Sequence, residues 1–249
     1  MITRQDTKYH IIDNTPIGTN TMMMTLAGPT STFTAPGQFV NIAIPGFTLR
    51  RPISVCSIEE NQLTIVYDKV GAGTEVLATL GPKTEVDLLP ALGNGFDLSK
   101  CGERPVLLAG GVGCPPIYNL AKELIKKGVL PTVVLGFNSS DRMIMIEAFE
   151  KLYIPFHVAT IDGSYGIKGY VTDVLKHEAI DPDYFYACGP LPMLKSLCQN
   201  LDIPGEVSLE SRMACGFGVC MCCSLETKKG PRRICKDGPV FDKEDLIWK

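Results

Sequence analysis

Four cysteines in the last fifth of the chain constrain its fold more than any other feature. Their spacing is Cys215-x4-Cys220-x2-Cys223-x11-Cys235. A C-x4-C-x2-C run with a distant fourth cysteine is the plant-type ligand spacing of a 2Fe–2S cluster. In such a cluster two irons share two sulfides, and each iron takes two thiolates. The loop that carries three of them has to wrap the inorganic core. Gly216 and Gly218 let the backbone come close enough for its amides to point at sulfur and raise the potential. The last gap is shorter than in plant ferredoxins, so the pattern is a variant. The rival is a structural zinc site with four cysteine ligands, which prefers closely spaced pairs on both sides. Only one such pair is present. Cys222, beside Cys223, breaks the spacing: the x2 step from Cys220 selects Cys223 and leaves Cys222 as a packed or free thiol.

The composition around this cluster is ordinary. The chain has 249 residues, 45% hydrophobic and 20% charged, which suits one or two domains with a real core and excludes general disorder. A net charge of −3 gives no electrostatic footprint for nucleic acid. Runs such as Val106-Leu107-Leu108-Ala109 fall far short of the ~20 apolar residues of a membrane span. The opening MITRQDTKYHIID has no secretory apolar core, so a cytosolic location is expected. In a reducing compartment, ten cysteines with five of them between 215 and 235 favour metal binding over disulfides.

Two patterns divide the rest. Residues 1–98 read as short strands punctuated by Gly and Pro, among them Met22–Leu26, Gln38–Ile44, Leu63–Val70 and Glu85–Leu89. That spacing suggests a small antiparallel barrel. Residues 99–205 alternate strand and helix: strands at Arg104–Ala109, Thr132–Phe137, Phe156–Thr160 and Asp183–Ala187, helices at Pro116–Lys127, Glu147–Leu152 and Val171–His177. Alternation of this kind predicts a parallel α/β sheet. Residues 206–249 show no periodicity, and a metal centre is expected to hold them in place of an apolar core.

Three further motifs carry chemistry. Arg51-Pro52-Ile53-Ser54 precedes Val66-Tyr67-Asp68 and Gly71-Ala72-Gly73-Thr74. Arg51 is suited to fork onto a diphosphate, at ~1.5–3 kcal/mol for a charge-assisted bond, with a Gly73 amide and a Thr74 hydroxyl beside it. Tyr67 is either a stacking platform or a plain strand tyrosine. Gly110-Gly111-Val112-Gly113 follows a strand and opens a helix. It reads equally as a tight turn and as a phosphate cradle. Cys188-Gly189-Pro190 follows the last strand, at the carboxyl end of the sheet where ligands bind. Cys188 is either a nicotinamide contact or a small buried hydrophobe. His10, His157 and His177 form no constellation, and no G-x-S-x-G or H-E-x-x-H is present.

The order RPIS, G-x-G-T, GGVG, CGP-x-P-M resembles the ferredoxin–NADP reductase superfamily. The segment Glu-Ser-Arg-Met-Ala-Cys-Gly-x-Gly-x-Cys-x-x-Cys, followed by Cys-x-Asp-Gly-Pro-Val-Phe, narrows the resemblance to the electron-transfer subunits of type B dihydroorotate dehydrogenase. The resemblance spans the chain. It implies a flavin-binding barrel (1–98), a nicotinamide-binding α/β domain (99–205) and a 2Fe–2S domain (206–249). It implies FAD contacts at Arg51, Pro52, Ile53, Ser54, Val66, Tyr67, Asp68, Gly73 and Thr74, with Ser54 near the flavin ring. It implies cluster ligation by Cys215, Cys220, Cys223 and Cys235. On the nicotinamide side it implies Gly110, Gly111, Gly113, Cys188 and Gly189. It also implies a partner: an FMN-containing catalytic subunit, two copies of each chain, with electrons passing from FMN through the cluster and FAD to NAD.

Two other readings stay open. One is the subunit of a different flavin/iron–sulfur complex, of the NAD-dependent ferredoxin:NADP oxidoreductase kind. The other is a zinc-stapled binding module with no redox role. Asn138-Ser139-Ser140-Asp141 after the second α/β strand, with Arg142 the one base nearby, predicts NAD over NADP. Met213, Phe217, Val219 and Met221 are expected either to dock a partner or to pack within the cluster segment.

Overall fold

The computed structural model describes residues 8–248. The first seven residues, which belong to the barrel segment and to the stretch read for an export signal, lie outside the described residues, as does Lys249. Six strands close an antiparallel barrel: β1 (Lys8–Pro16), β2 (Thr21–Ala27), β3 (Phe39–Ile42), β4 (Arg51–Glu59), β5 (Gln62–Asp68) and β6 (Glu85–Leu92), in the order β1-β2-β5-β4-β3-β6. One helix, α1 (Ala72–Thr79), connects β5 to β6. Alternate residues fill the barrel, including Met24, Val40, Ile42, Ile53, Val55, Leu63 and Ile65. Each fully buried aliphatic side chain of this kind contributes roughly 1.5–3 kcal/mol.

Arg51 opens β4. The register pairs Phe39 with Ser54 and Asn41 with Pro52. Directly opposed residues share a face. Val40 and Ile53 therefore point into the barrel, while Phe39, Asn41, Pro52 and Ser54 share its outer face.

A second sheet follows, built from β7 (Pro105–Gly110), β8 (Thr132–Phe137), β9 (Phe156–Thr160), β10 (Ile167–Lys168), β11 (Tyr184–Cys188) and β12 (Gly205–Ser208). A hairpin, β13 (Ser224–Thr227) and β14 (Gly230–Arg233), precedes β15 (Val240–Asp242). The order is β10-β9-β8-β7-β11-β12-β15, parallel throughout except for the antiparallel edge strand β15. The helices are α2 (Cys114–Lys126), α3 (Ile146–Glu150), α4 (Val171–His177), α5 (Leu191–Asn200) and α6 (Ile234–Asp237).

Both faces of the sheet are covered. On one, Leu107, Ile117, Leu120 and Leu135 pack with Cys56, Val66 and Phe96 of the barrel side. On the other, Val106, Val174 and Leu194 pack with Phe39 and Leu92 of the barrel and with Val207, Ile234 and Phe241. The expectation that the last segment lacks an apolar core is therefore corrected. That segment lends two strands to the sheet and shares its core with the barrel.

Candidate functional site

A cleft of about 910 Å³ lies where the barrel meets the sheet. Gly110, Gly111, Phe137 and Gly189 line it at the carboxyl ends of β7, β8 and β11, and Thr21, Asp68 and Lys69 line it from the barrel. This is the end of a parallel sheet where ligands bind. The glycines have separable roles. Gly111 has φ +53 and open space at its absent side chain. Gly113 is buried, and a β-carbon there would stand 2.2 Å from the Cys188 carbonyl oxygen. Gly189, at φ +156, would place one 2.9 Å from the Gly110 nitrogen. Gly113 and Gly189 thus let the two βα turns touch, whereas Gly110, Gly111 and Gly189 face the cleft.

Cys188 is buried at the end of β11. Burial, with the Glu210 charge adding, pushes its thiol up to about 12 against a Ser208 hydrogen bond. It is a neutral thiol at physiological pH. Glu210 also lines the cleft and was not singled out by sequence reasoning. It is crowded by protein yet open to solvent, and desolvation followed by the Asp68 charge raises its carboxyl above its ordinary 4.5. Glu210 opens the cluster motif in the sequence, and nothing in that motif signals that it faces this cleft.

On the barrel, the Arg51 guanidinium lies against the first turn of α1. A β-carbon on Gly73 would stand 2.6 Å from its Nη2. The same guanidinium lies 5.2 Å from the centre of the Phe47 ring. Only glycine leaves room for that approach, which fits a diphosphate held between arginine and helix amides. Thr74 has partners of its own in the first turn of α1. Its hydroxyl accepts from the Val70 amide at 2.9 Å and donates to the Gly71 carbonyl at 3.1 Å, so it caps its own helix. Tyr67 is buried, and its hydroxyl donates to Asn14 Oδ1 at 3.0 Å. Ile53 points into the barrel and Val66 into the core under α2, so neither offers its side chain to the outer face. Pro52, Ser54 and Asp68 remain half-exposed.

The cysteine loop follows β12. Gly216 and Gly218 turn it at φ +80 and +88. The four predicted ligands come together two by two. Cys220 lies within hydrogen-bond reach of the Cys215 thiol. The Cys235 amide donates to Cys223 Sγ at 3.4 Å, and the two thiols interact. Burial acts to raise the Cys215 thiol, but amides of Cys220, Phe217 and Val219 outweigh it and bring it down to about 6. Burial, then the neighbouring Cys223, pushes Cys235 up to about 12. Cys222 points elsewhere, its thiol donating to the Arg212 carbonyl at 3.7 Å. Arg233 braces the loop from behind, donating to the Gly218 carbonyl at 2.9 Å while Asp237 holds it at 2.9 Å.

Among the described residues no three Cys, His, Asp or Glu side chains converge on a single ion position. A 2Fe–2S core needs only two thiolates per iron. Two thiol pairs with backbone amides aimed at sulfur fit that core.

Residues 210–247 match the iron–sulfur cluster binding domain of dihydroorotate dehydrogenase B, and residues 107–199 match an oxidoreductase NAD-binding domain. The chain is 40% identical to the dihydroorotate dehydrogenase B (NAD(+)) electron transfer subunit of Geobacillus sp. (strain WCH70), covering 95% of this chain and 96% of that protein. This chain belongs to the dihydroorotate dehydrogenase B electron transfer subunits. The Fusobacterium nucleatum subunit is 45% identical, over 85% of this chain and 86% of that one. Among solved structures, the NADH-dependent reduced ferredoxin-NADP oxidoreductase described for flavin-based electron bifurcation aligns with a TM-score of 0.88. It is 29% identical, over 96% of this chain and 90% of that one. A ferredoxin NADP+ reductase from Neisseria gonorrhoeae shares the fold, with a TM-score of 0.66 at 19% identity, over 78% of this chain and 89% of that one. As an electron transfer subunit of the B-type enzyme, the chain is an NAD-linked oxidoreductase component with a flavin and an iron–sulfur centre.

Proposed function

We propose that this chain passes electrons between an FMN-containing subunit that oxidises dihydroorotate and NAD+, in pyrimidine biosynthesis. One observation carries the reading. The cysteine loop has a buried end and an open end: Cys223 and Cys235 sit in the core beneath the barrel, while Cys220 reaches solvent beside exposed Phe217, Val219 and Met221. A relay has to reach its internal acceptor and its external donor at once, and this loop offers one end for each. Met213 packs inward against the core, so the docking patch is formed by the other three apolar residues.

When bound, the flavin exchanges a hydride with nicotinamide and single electrons with the cluster. The protein's part is to hold and orient. Arg51 and Gly73 would hold the diphosphate, and Pro52 and Ser54 would lie along the flavin on the outer face. Gly110, Gly111 and Gly189 would admit the nicotinamide, with Cys188 beneath it as a neutral thiol. Cys215, Cys220, Cys223 and Cys235 would ligate the irons. By cofactor, the chain divides at about residues 98 and 205. The partner assembly is two copies of each subunit, and the location is cytoplasmic. Among the described residues no helix is long and apolar enough to cross a membrane.

The purified chain, yellow-brown from its cofactors, should reduce artificial acceptors with NADH and show no dihydroorotate oxidation. Adding the FMN subunit should establish dihydroorotate-to-NAD+ electron flow. Dihydroorotate oxidation by the chain alone would overturn the reading.

A further inference from the structure

Asn41 is a polar residue in an apolar seam. It lies on β3 with 1% of its surface exposed, surrounded in sequence by Val40 and Ile42, which fill the barrel. Burying an amide is costly unless its hydrogen bonds are made. Its Nδ2 donates to the Cys215 carbonyl at 3.3 Å, across a sequence separation of 174 residues. Its Oδ1 is buried with no hydrogen-bond partner among the described residues. Its own carbonyl accepts from Arg50 at 3.3 Å, and Arg50 is anchored on Asp87 at 2.9 Å. The cysteine loop is shaped to this contact: a β-carbon on Gly216 would stand 2.5 Å from Asn41 Nδ2.

The other side of Asn41 faces the flavin strand. Its register partner is Pro52, on the same outer face as Ser54. One side chain therefore links the barrel face that carries the proposed flavin contacts to the backbone of the first cluster cysteine. A leucine here would bury more apolar surface and leave no orphan oxygen. Stability alone does not account for an asparagine.

We propose that Asn41 is a positioning residue that fixes the cluster loop against the flavin-bearing face of the barrel, setting the spacing and coupling between the two redox centres. This rests on the flavin and cluster sites of the preceding reading. Asn41 binds neither centre directly. It acts through the Cys215 carbonyl, and so through the amides of Phe217, Val219 and Cys220 that reach the Cys215 sulfur. Amides directed at sulfur raise a cluster's potential. Loosening the loop weakens them, and the potential falls.

The test compares wild type with Asn41→Leu, which removes the donor, and Asn41→Asp, which keeps the shape but cannot donate. Iron, flavin content and melting temperature are measured first. Flavin bleaching by NADH, which does not pass through the cluster, is the internal reference. The readouts are the cluster's midpoint potential, its reduced EPR spectrum and the rate of flavin-to-cluster electron transfer in stopped flow.

The potential should drop in both variants, further in Asn41→Asp because of its added negative charge, with an altered EPR line shape. Transfer should slow on the order of tenfold relative to flavin bleaching, as small misplacements do in positioned reactions. Should the leucine variant not fold, Asn41→Ala, which removes the donor without adding charge, carries the same test. Unchanged potential, spectrum and transfer rate at full cofactor content would overturn the role of Asn41. A wild-type chain that holds no iron or no flavin would instead overturn the functional reading on which the inference rests.

Discussion

The Cys235 amide donates to Cys223 Sγ at 3.4 Å, while the adjacent Cys222 turns outward to the Arg212 carbonyl. Both cysteines sit in the turn that the Ser224 amide closes onto the Met221 carbonyl at 3.2 Å, and their side chains leave it in different directions, so only one of the two joins the pair. Cys223→Ser should lose most of the iron and the reduced EPR signal, and Cys222→Ser should retain both. Iron counting on the two purified variants decides it, and the reverse result would remove Cys223 from the ligand set.

Arg51 and Gly73 are expected to act as one unit in flavin retention. Arg51→Ala removes a charge-assisted contact worth about 1.5–3 kcal/mol, which corresponds to roughly ten- to hundredfold weaker binding. Gly73→Ala should weaken it too, because the new methyl occupies the place of the guanidinium. Flavin content after gel filtration is the measurement, and full occupancy in both variants would exclude this diphosphate site.

Arg142 lines the cleft with Asp141 at 3.6 Å from its Nε. The paired carboxylate is positioned to repel a 2′-phosphate and suits a free ribose hydroxyl. The wild-type chain should therefore favour NADH over NADPH in kcat/KM. Asp141→Ser, which releases Arg142, should raise NADPH efficiency relative to NADH. An unaltered ratio would remove Asp141 from cofactor selection.

Lys122 of α2 reaches across to β4, where it binds Ser57 at 2.9 Å and Glu59. The hydrogen bond from Lys122 is the main cause that holds the Glu59 carboxyl below its ordinary 4.5. A lowered folded-state value means the contribution is present above 4.5 and is lost as pH falls through the lower value. Wild type should therefore melt higher than Glu59→Gln near neutral pH, and the two should converge as pH falls from 4.5 through the lowered value. Because Glu59 is largely exposed, the neutral-pH difference should be small. Melting curves of both proteins across pH 3–7 check it.

Much of this site was legible from the chain, and the gaps have physical causes. Gly and Pro punctuation exposed β2, β3, β5 and β6, and the α/β half was readable because its buried strands are continuous apolar runs. α1 was hidden by Gly71 and Gly73, which read as loop although they open a helix. α5 was hidden by Pro190 and Pro192, which punctuate a sequence but are tolerated in a first helical turn. β12 and β15 are four and three residues long, too short for any period to register. The cluster cysteines were plain because their spacing is local. Asn41 and Glu210 were not, because each acquires its role only from residues distant in sequence.

β12 lies between β11 and β15, so the sheet that receives nicotinamide is finished by strands from the far side of residue 205. Cutting the chain there would leave β11 with a row of unpaired amides and carbonyls, an edge open to aggregation. The iron–sulfur segment is consequently no detachable cartridge. An engineer grafting this relay onto another reductase would have to carry Gly205–Ser208 and Val240–Asp242 along with the cysteines, and would have to supply a strand for them to pair with.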